Sequence, residues 1–305
     1  MAYPTPQVTK ATGAVFIPEI WSDEVIAAYK QNLVMANLVS KMSFKGKKGD
    51  TLHIPKPTRG AASAKASSTA VTLIAATETE VQVIVNQHFE YSRFIEDITE
   101  VQALSSMRRF YTADAGYALG KQVDTSIINL GSGLQGGSGT TAYNKAVLAG
   151  DGTTPYVAGT TAGTALTDAG IRKMIQKLDD ADVPMDGRSI VLPPVGRNVM
   201  MGIARFTEQS FVGDTGSGNT IHNGRIGDVY GMMVYVSTNA ATSSTVTDRI
   251  GLMFHKEAFV FAEQMGVRSQ TQYKQDYLAT LYTADTLYGV KELRDDAGIA
   301  FAMLG

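Results

Sequence analysis

Residues 92–130 read SRFIEDITEVQALSSMRRFYTADAGYALGKQVDTSIINL. Phe94, Ile98, Val101, Leu104, Tyr111, Ala115, Ala118, Ile127 and Leu130 recur near helical spacing, which makes one face of the run apolar. Glu96, Asp97 and Glu100 stand in the opening turns, where carboxylates complement the positive end of a helix dipole. Gly131 follows as a C-cap signal. The spacing predicts one helix over 92–130. At ~1.5 Å per residue it would be about 58 Å long, far beyond the ~11–12 residues of a mean globular helix. Gly116 and Gly120 are places where it could bend.

Upstream, the apolar period changes from helical to alternating. Residues 45–50 form a turn, Thr51-Leu52-His53-Ile54 alternates like a strand, and Pro55 and Pro57 end it. A second strand is expected over 80–86, with Val81, Val83 and Val85 on one face. Between them, residues 60–69 are mostly Ala, Ser and Lys. Residues 48–88 thus read as a long hairpin with a tip of small side chains. An isolated two-stranded hairpin is marginal in water, so a neighbouring copy of the chain is the economical support. Before it, residues 1–16, with Pro4, Pro6 and Gly13, read as an extended arm. A short amphipathic helix is expected over 18–38, with Pro18 in its first turn and Trp21, Val25 and Ala28 on one face.

Downstream, residues 131–165 hold nine Gly and seven Thr, and only Lys145 and Asp151 are charged. This is a long loop, and such loops are usually functional or mobile. Thr167 caps a helix carrying Ile171, Met174, Ile175 and Leu178. A strand over 188–192 ends at Pro193-Pro194, a helix follows over 195–206, and a second Gly-rich loop covers 207–227. Strands are expected at 232–237 and 250–254. Residues 259–304 read mostly as antiparallel strands, with 297–304 the last. The fold class is α+β.

The chain has 305 residues, with 27 Lys and Arg against 29 Asp and Glu, for a net charge of -2. A dedicated nucleic-acid binder needs a basic excess to displace counterions from phosphates, and this chain has none. It has no cysteine, which removes disulfides and thiolate chemistry. No stretch approaches the ~18 apolar residues of a membrane-spanning helix, and residues 1–10 carry no secretory pattern. Gly131, Gly133 and Gly136 match a dinucleotide fingerprint in spacing. That fingerprint needs a strand before it and a helix after it, and here it follows a helix. Asp179, Asp180, Asp182 and Asp186 lack the register of a calcium loop, because Pro184 interrupts it. His53, His88, His222 and His255 are too dispersed for a zinc motif. One reading of Lys41, Lys45, Lys47 and Lys48 is contact with phosphates; because the whole chain is not basic, a solvated turn or pairing with acids on another chain is the favoured reading. Met200, Met201, Met232 and Met233 read as core filler. No cofactor or metal is expected, and no catalytic residue is assigned.

The order of elements (arm, unsupported hairpin, very long helix, Gly-rich region, long return strands) resembles the tailed-bacteriophage major capsid protein with the Hong Kong 97-type fold. Local sequence agrees. Ile17-Pro18-Glu19-Ile20-Trp21 looks like the arm of such coat proteins. Asp182-Val183-Pro184, Gly187-Arg188 and Ile190-Val191-Leu192-Pro193-Pro194 look like their axial-domain core. The run from Gly224-Arg225-Ile226-Gly227-Asp228 to Val234 resembles the segment in which the chain re-enters a strand. His255-Lys256-Glu257-Ala258-Phe259 and Tyr288-Gly289-Val290 fit the closing strands.

The resemblance implies an N-arm at 1–45 and an extended loop at 46–91. It implies a spine helix of the peripheral domain at 92–131, an axial domain at 132–262 and peripheral return strands at 263–305. Subunit contacts are expected at Trp21, Lys56, Arg59, Lys65, Glu96, Arg108 and Arg109. The implied product is an icosahedral virion shell of hexamers and pentamers, assembled in the host bacterial cytoplasm around weakly and non-specifically contacted double-stranded DNA. Implied partners are many copies of the chain, a portal and a decoration protein. A separate scaffolding protein is expected, since the chain begins directly with the arm. No membrane is involved. Two other readings are weighed. One is an encapsulin-type nanocompartment shell. The other, of a different class, is an enzyme binding a phosphate-bearing ligand through residues 131–139 or 213–218, which would require a strand leading into either loop. A β-rich ligand-binding surface protein is disfavoured by the missing secretion signal.

Overall fold

The computed structural model describes residues 34–46, 48–56, 60–71, 73, 78–102, 107–136, 147–156, 161–203, 206, 227–240 and 248–304; the side chains at 107–109, 136 and 147 fall outside that description. A helical turn, α1 (Met35–Leu38), leads into β1 (Ser40–Ser43). β2 (Thr51–Lys56) and β3 (Thr79–Ile84) form the predicted hairpin, paired from Thr51↔Ile84 to Lys56↔Thr79. β4 (Gln87–Glu96), α2 (Asp97–Gln102) and α3 (Met107–Leu130) follow. A 3-10 segment at Gly131–Gly136 leads on to β5 (Val147–Ala149) and β6 (Pro155–Tyr156). Then come α4 (Asp168–Asp180), β7 (Arg188–Leu192), α5 (Pro194–Met201), β8 (Asp228–Val229) and β9 (Met232–Val236). β10 (Arg249–His255), β11 (Phe259–Lys274), β12 (Ala279–Glu292) and β13 (Gly298–Met303) close the chain.

Most strands gather into two sheets. One has the order β1-β11-β12-β4, and the other β6-β5-β13-β10-β7-β9-β8. In the larger sheet β7 and β13 are buried at every position, so both faces of these strands are covered, including Arg188 and Ser189 at the start of β7. Its core includes Ile190, Leu192, Phe254 and Phe301, and Phe254 meets Phe259 edge-on at 5.3 Å. Thr167 caps α4 as expected, its hydroxyl accepting from the Gly170 amide at 3.0 Å. Ile171, Met174 and Leu178 face the core. At Gly170 the helix touches the backbone of Gly150 and Asp151 so closely that a Cβ would collide.

The long helix differs from its prediction. Residues 92–96 belong to β4, which pairs with β12 from Glu96↔Ala279 to Gln87↔Tyr288. Ile95 is buried while Phe94 and Glu96 are exposed, a period of two that the ladder with β12 enforces over local helical spacing. α2 covers 97–102, residues 103–106 lie outside the description, and α3 proper has 24 residues. Ala115 and Leu119 of α3 pack on Tyr282, Ala284, Phe89 and Tyr91, laying the helix across the smaller sheet. Gly131 does not stop it with a left-handed cap. The 3-10 segment continues, and Gln135 carries the positive φ of 59°. α5 ends at Met201, earlier than the predicted 206, where Gly202 follows. Met200 and Met232 are core, as expected, but Met201 and Met233 are exposed. The predicted last strand is buried through Met303, and it joins the larger sheet beside β10 and β5, apart from the other return strands. Of the predicted helix over 18–38, only 34–38 lie within the description.

Candidate assembly surfaces

The hairpin is fastened at its base and bare beyond it. Phe44, Val83, Val85, Val260 and Ala262 make a small apolar cluster under the base. The Val85 amide donates to Asp50 O at 2.7 Å, and Gln264 Nε2 donates to Gly49 O at 2.9 Å. Lys45 pairs with Glu263 at 3.0 Å, so this lysine of the basic turn finds its acid within its own chain. Such an exposed pair contributes at most ~1 kcal/mol. Across the ribbon, His53 Nδ1 lies 2.9 Å from Glu80, and hydrogen bonds from Gln82 and His53 hold that carboxyl below its usual range. Past the paired strands, residues 60–71 form no strand and are exposed throughout. Val71 and Leu73 are 65% and 87% exposed.

The expected contact residues fall at separate places. Lys56 ends β2 and is exposed, and Lys65 is exposed in the hairpin tip. Glu96 ends β4 at the opposite end of the smaller sheet. Arg108 and Arg109 lie in the first turn of α3, their side chains outside the description. Trp21 and Arg59 lie outside the described residues. Lys56 also lines an open groove of about 790 Å³ between the outer end of the paired ribbon (Ile54, Pro55, Thr79 and Val81) and a body surface of Ser40, Met42, Glu257 and residues 293–296. Met42, Ile54 and Leu293 give the groove apolar walls, while Glu257, Arg294 and Asp296 give it charge.

Three polar sites escaped the sequence reading. Asp124, on the buried face of α3, accepts hydrogen bonds from the amides of Val34 at 3.0 Å and Ala36 at 3.4 Å, capping α1. Burial pushes its carboxyl up, and those backbone donors oppose the shift. Its position one turn before Ile127 and Ile128 was the available signal. Asp285 receives a forked pair of bonds from Arg268 at 3.0 and 2.7 Å and lies 3.1 Å from His88 Nε2, tying β4, β12 and β11 together. The Arg268 bonds hold its carboxyl below the usual range. Glu292 is folded against Gly133, and burial first, then the charge of Asp295, raise its carboxyl to about 7. Nothing local in the sequence marks Asp285, because its partners His88 and Arg268 come from other strands, and the burial of Glu292 comes from packing with the distant 3-10 segment.

The motifs weighed earlier resolve plainly. The segment Gly131–Gly136 is entered by a helix, so the strand that a phosphate loop requires is not there. Residues 213–218 lie outside the described residues. Asp179 receives a 2.6 Å bond from the buried Arg188, whose guanidinium also donates to the Val183 and Pro184 carbonyls and thereby clamps the Asp182-Val183-Pro184 turn. Among the described residues no group of three or more His, Asp or Glu could hold a metal ion, and no helix is long and apolar enough to cross a membrane.

A family profile described as phage capsid protein matches residues 18–297. No curated protein matches the chain in sequence. Among solved structures, one titled Mycobacterium phage Che8 is similar at 23% identity and a TM-score of 0.74, over 94% of this chain and 97% of that one. The capsid structure of cyanophage P-SCSP1u is similar at 16% identity and a TM-score of 0.70, over 96% and 94%. The mature capsid of bacteriophage PhiM1 is similar at 14% identity and a TM-score of 0.68, over 94% and 92%.

Proposed function

The chain belongs to the phage capsid protein family, as a major capsid protein of the Hong Kong 97-type fold that forms an icosahedral shell, and we propose that its copies build this shell as hexamers and pentamers around double-stranded DNA. The observation that carries the reading is the hairpin: two strands rooted in the body, then a fully exposed extension. A ribbon of that kind gains order when it lies on another subunit, so assembly supplies stability that the free chain lacks. In this reading residues 46–91 are the extended loop. α3 with the smaller sheet is the peripheral domain, and the larger sheet is the axial domain. Trp21, Lys56, Arg59, Lys65, Glu96, Arg108 and Arg109 are contacts between subunits. The net charge of -2 suits a wall that touches its packaged DNA weakly and without sequence preference. A scaffolding protein, a portal and a decoration protein complete the particle, assembled in the bacterial cytoplasm.

The test is the size and shape of the purified chain, alone and with a candidate scaffolding protein, by light scattering and negative-stain microscopy. Closed shells, or rings of five and six, are expected. A monomer or dimer that persists in both conditions would overturn the reading. Nuclease-protected DNA in native particles, in place of an enclosed enzyme, separates a virion from a nanocompartment.

A further inference from the structure

α3 covers one face of the smaller sheet, packing on Phe89, Tyr91, Tyr282 and Ala284. The residues that alternate with these turn to the opposite face. There the ladder sets Gln272 beside Leu281, and Leu281 beside Phe94. In the next row it sets Gln270 beside Thr283, and Thr283 beside Ser92. An open groove of about 560 Å³ lies over β11 and β12 here, lined by Gln270, Thr271, Gln272, Leu281 and Thr283. On the next strand, ~4.8 Å away, Phe94 is 55% exposed. Its ring meets that of Tyr277, 70% exposed, with centroids 5.7 Å apart.

The middle of this face is polar and uncharged. The side chains of Gln270, Gln272 and Thr283 bond to no other described residue, so two amides and a hydroxyl offer donors and acceptors to solvent. Charge stands at the two ends and is balanced there. At one end Arg268 forks onto Asp285, which also meets His88, and Glu90 accepts from the Ser92 hydroxyl at 3.2 Å. At the other end the row holds Lys274 and Glu96, of opposite sign. A dry protein interface would leave the central amides and hydroxyl without partners, since the core of such an interface is apolar. A phosphate polymer would need cations that are not already paired. A neutral polysaccharide suits both conditions. Its adjacent hydroxyls donate and accept as a planar amide does, and the C–H face of a sugar ring packs on an aromatic ring. Resting on the shell function proposed above, we infer that the uncovered face of the smaller sheet binds neutral polysaccharide. Gln270 and Gln272 bond the sugar hydroxyls, and Phe94 with Tyr277 packs on the apolar face of a ring. One shallow, solvated site of this kind holds a glycan with a dissociation constant on the order of 1 mM. Many copies on one shell raise retention of a polymer roughly a hundredfold or more without any new contact.

The full chain, both free and assembled into particles verified by negative-stain microscopy, is applied to an array of cellohexaose, maltohexaose, laminarihexaose and mannohexaose, with heparin as the charged control. The expected result is retention of particles on a neutral sugar at low and high salt alike. Gln270→Ala with Gln272→Ala, or Phe94→Ala, is expected to lower that retention about tenfold, while Lys173→Ala on α4 leaves it unchanged. All four side chains are exposed, so the variants keep the fold. Particles that no neutral sugar retains, or that heparin alone retains and salt releases, overturn this inference and leave the shell function standing. Retention of free chains without retention of particles does the same, because assembly then covers the face. Retention untouched by the glutamine and phenylalanine variants places the sugar elsewhere and also overturns it. A chain that assembles under no condition overturns the shell function and the inference with it.

Discussion

Replacing Glu292 by Gln removes an ionisation that the junction of the two sheets penalises. The carboxyl sits at the end of β12 against Gly133, and its Oε1 is buried with no hydrogen-bond partner among the described residues. Burial is the larger cause of its rise from 4.5 to about 7, the negative Asp295 the next, and Lys291 pulls the other way. Below pH 4.5 both folded and unfolded chains hold the proton, and the full stability is present. Between 4.5 and about 7 the unfolded chain releases its proton first, so stability falls by ~1.4 kcal/mol per pH unit. Above the folded value the loss levels off. The interval of about 2.5 units would amount to ~3 kcal/mol, and screening at this partly accessible site brings it to about 2–3 kcal/mol. Pulse proteolysis of the unassembled chain in urea, at pH 4.5 and pH 8, measures this directly. Glu292→Gln should match the parent at pH 4.5 within a few tenths of a kcal/mol and exceed it by about 2 kcal/mol at pH 8. Parallel pH profiles for the two chains would refute the reasoning, because the lost stability would then belong to other groups.

Asp124→Ala leaves two amides of the α1 turn without their acceptor and should cost about 2–3 kcal/mol in urea unfolding. Asp124→Asn should cost less, and an unchanged midpoint for the Ala variant would show that water replaces the cap. Arg188→Ala frees Asp179 and two carbonyls at once, and about 3 kcal/mol is expected to disappear; a loss below 1 kcal/mol would remove the clamp from the account of this turn. In limited proteolysis, free subunits should be cut within residues 55–75 and assembled particles protected there. Equal cleavage in both states would count against the hairpin as an interface element.

Local rules carried far in this chain. Val81, Val83 and Val85 alternate because one side of the ribbon base is apolar, and β3 lies where that alternation stands. Thr167 caps α4 because its side chain and the amide it bonds are three residues apart. The strand expected over 188–192, ending at Pro193-Pro194, is β7, and only the structure shows it buried at every position. The order of these elements was enough to point to a capsid fold. Residues 92–96 mark where such rules stop. Their spacing suits a helix as well as a strand, and pairing with β12, far along the chain, decides between them. The same holds for side chains whose chemistry comes from distant partners. Asp124 reads as one more acid on a helix until the amides of Val34 and Ala36 meet it, and Glu292 reads as a strand end until Gly133 covers it. Spacing along a chain encodes periodicity, caps and turns, since these depend on neighbours within a few residues. Burial, register and the partner of a lone charge depend on which segments come together, and that is set by the sum of the packing across the whole fold.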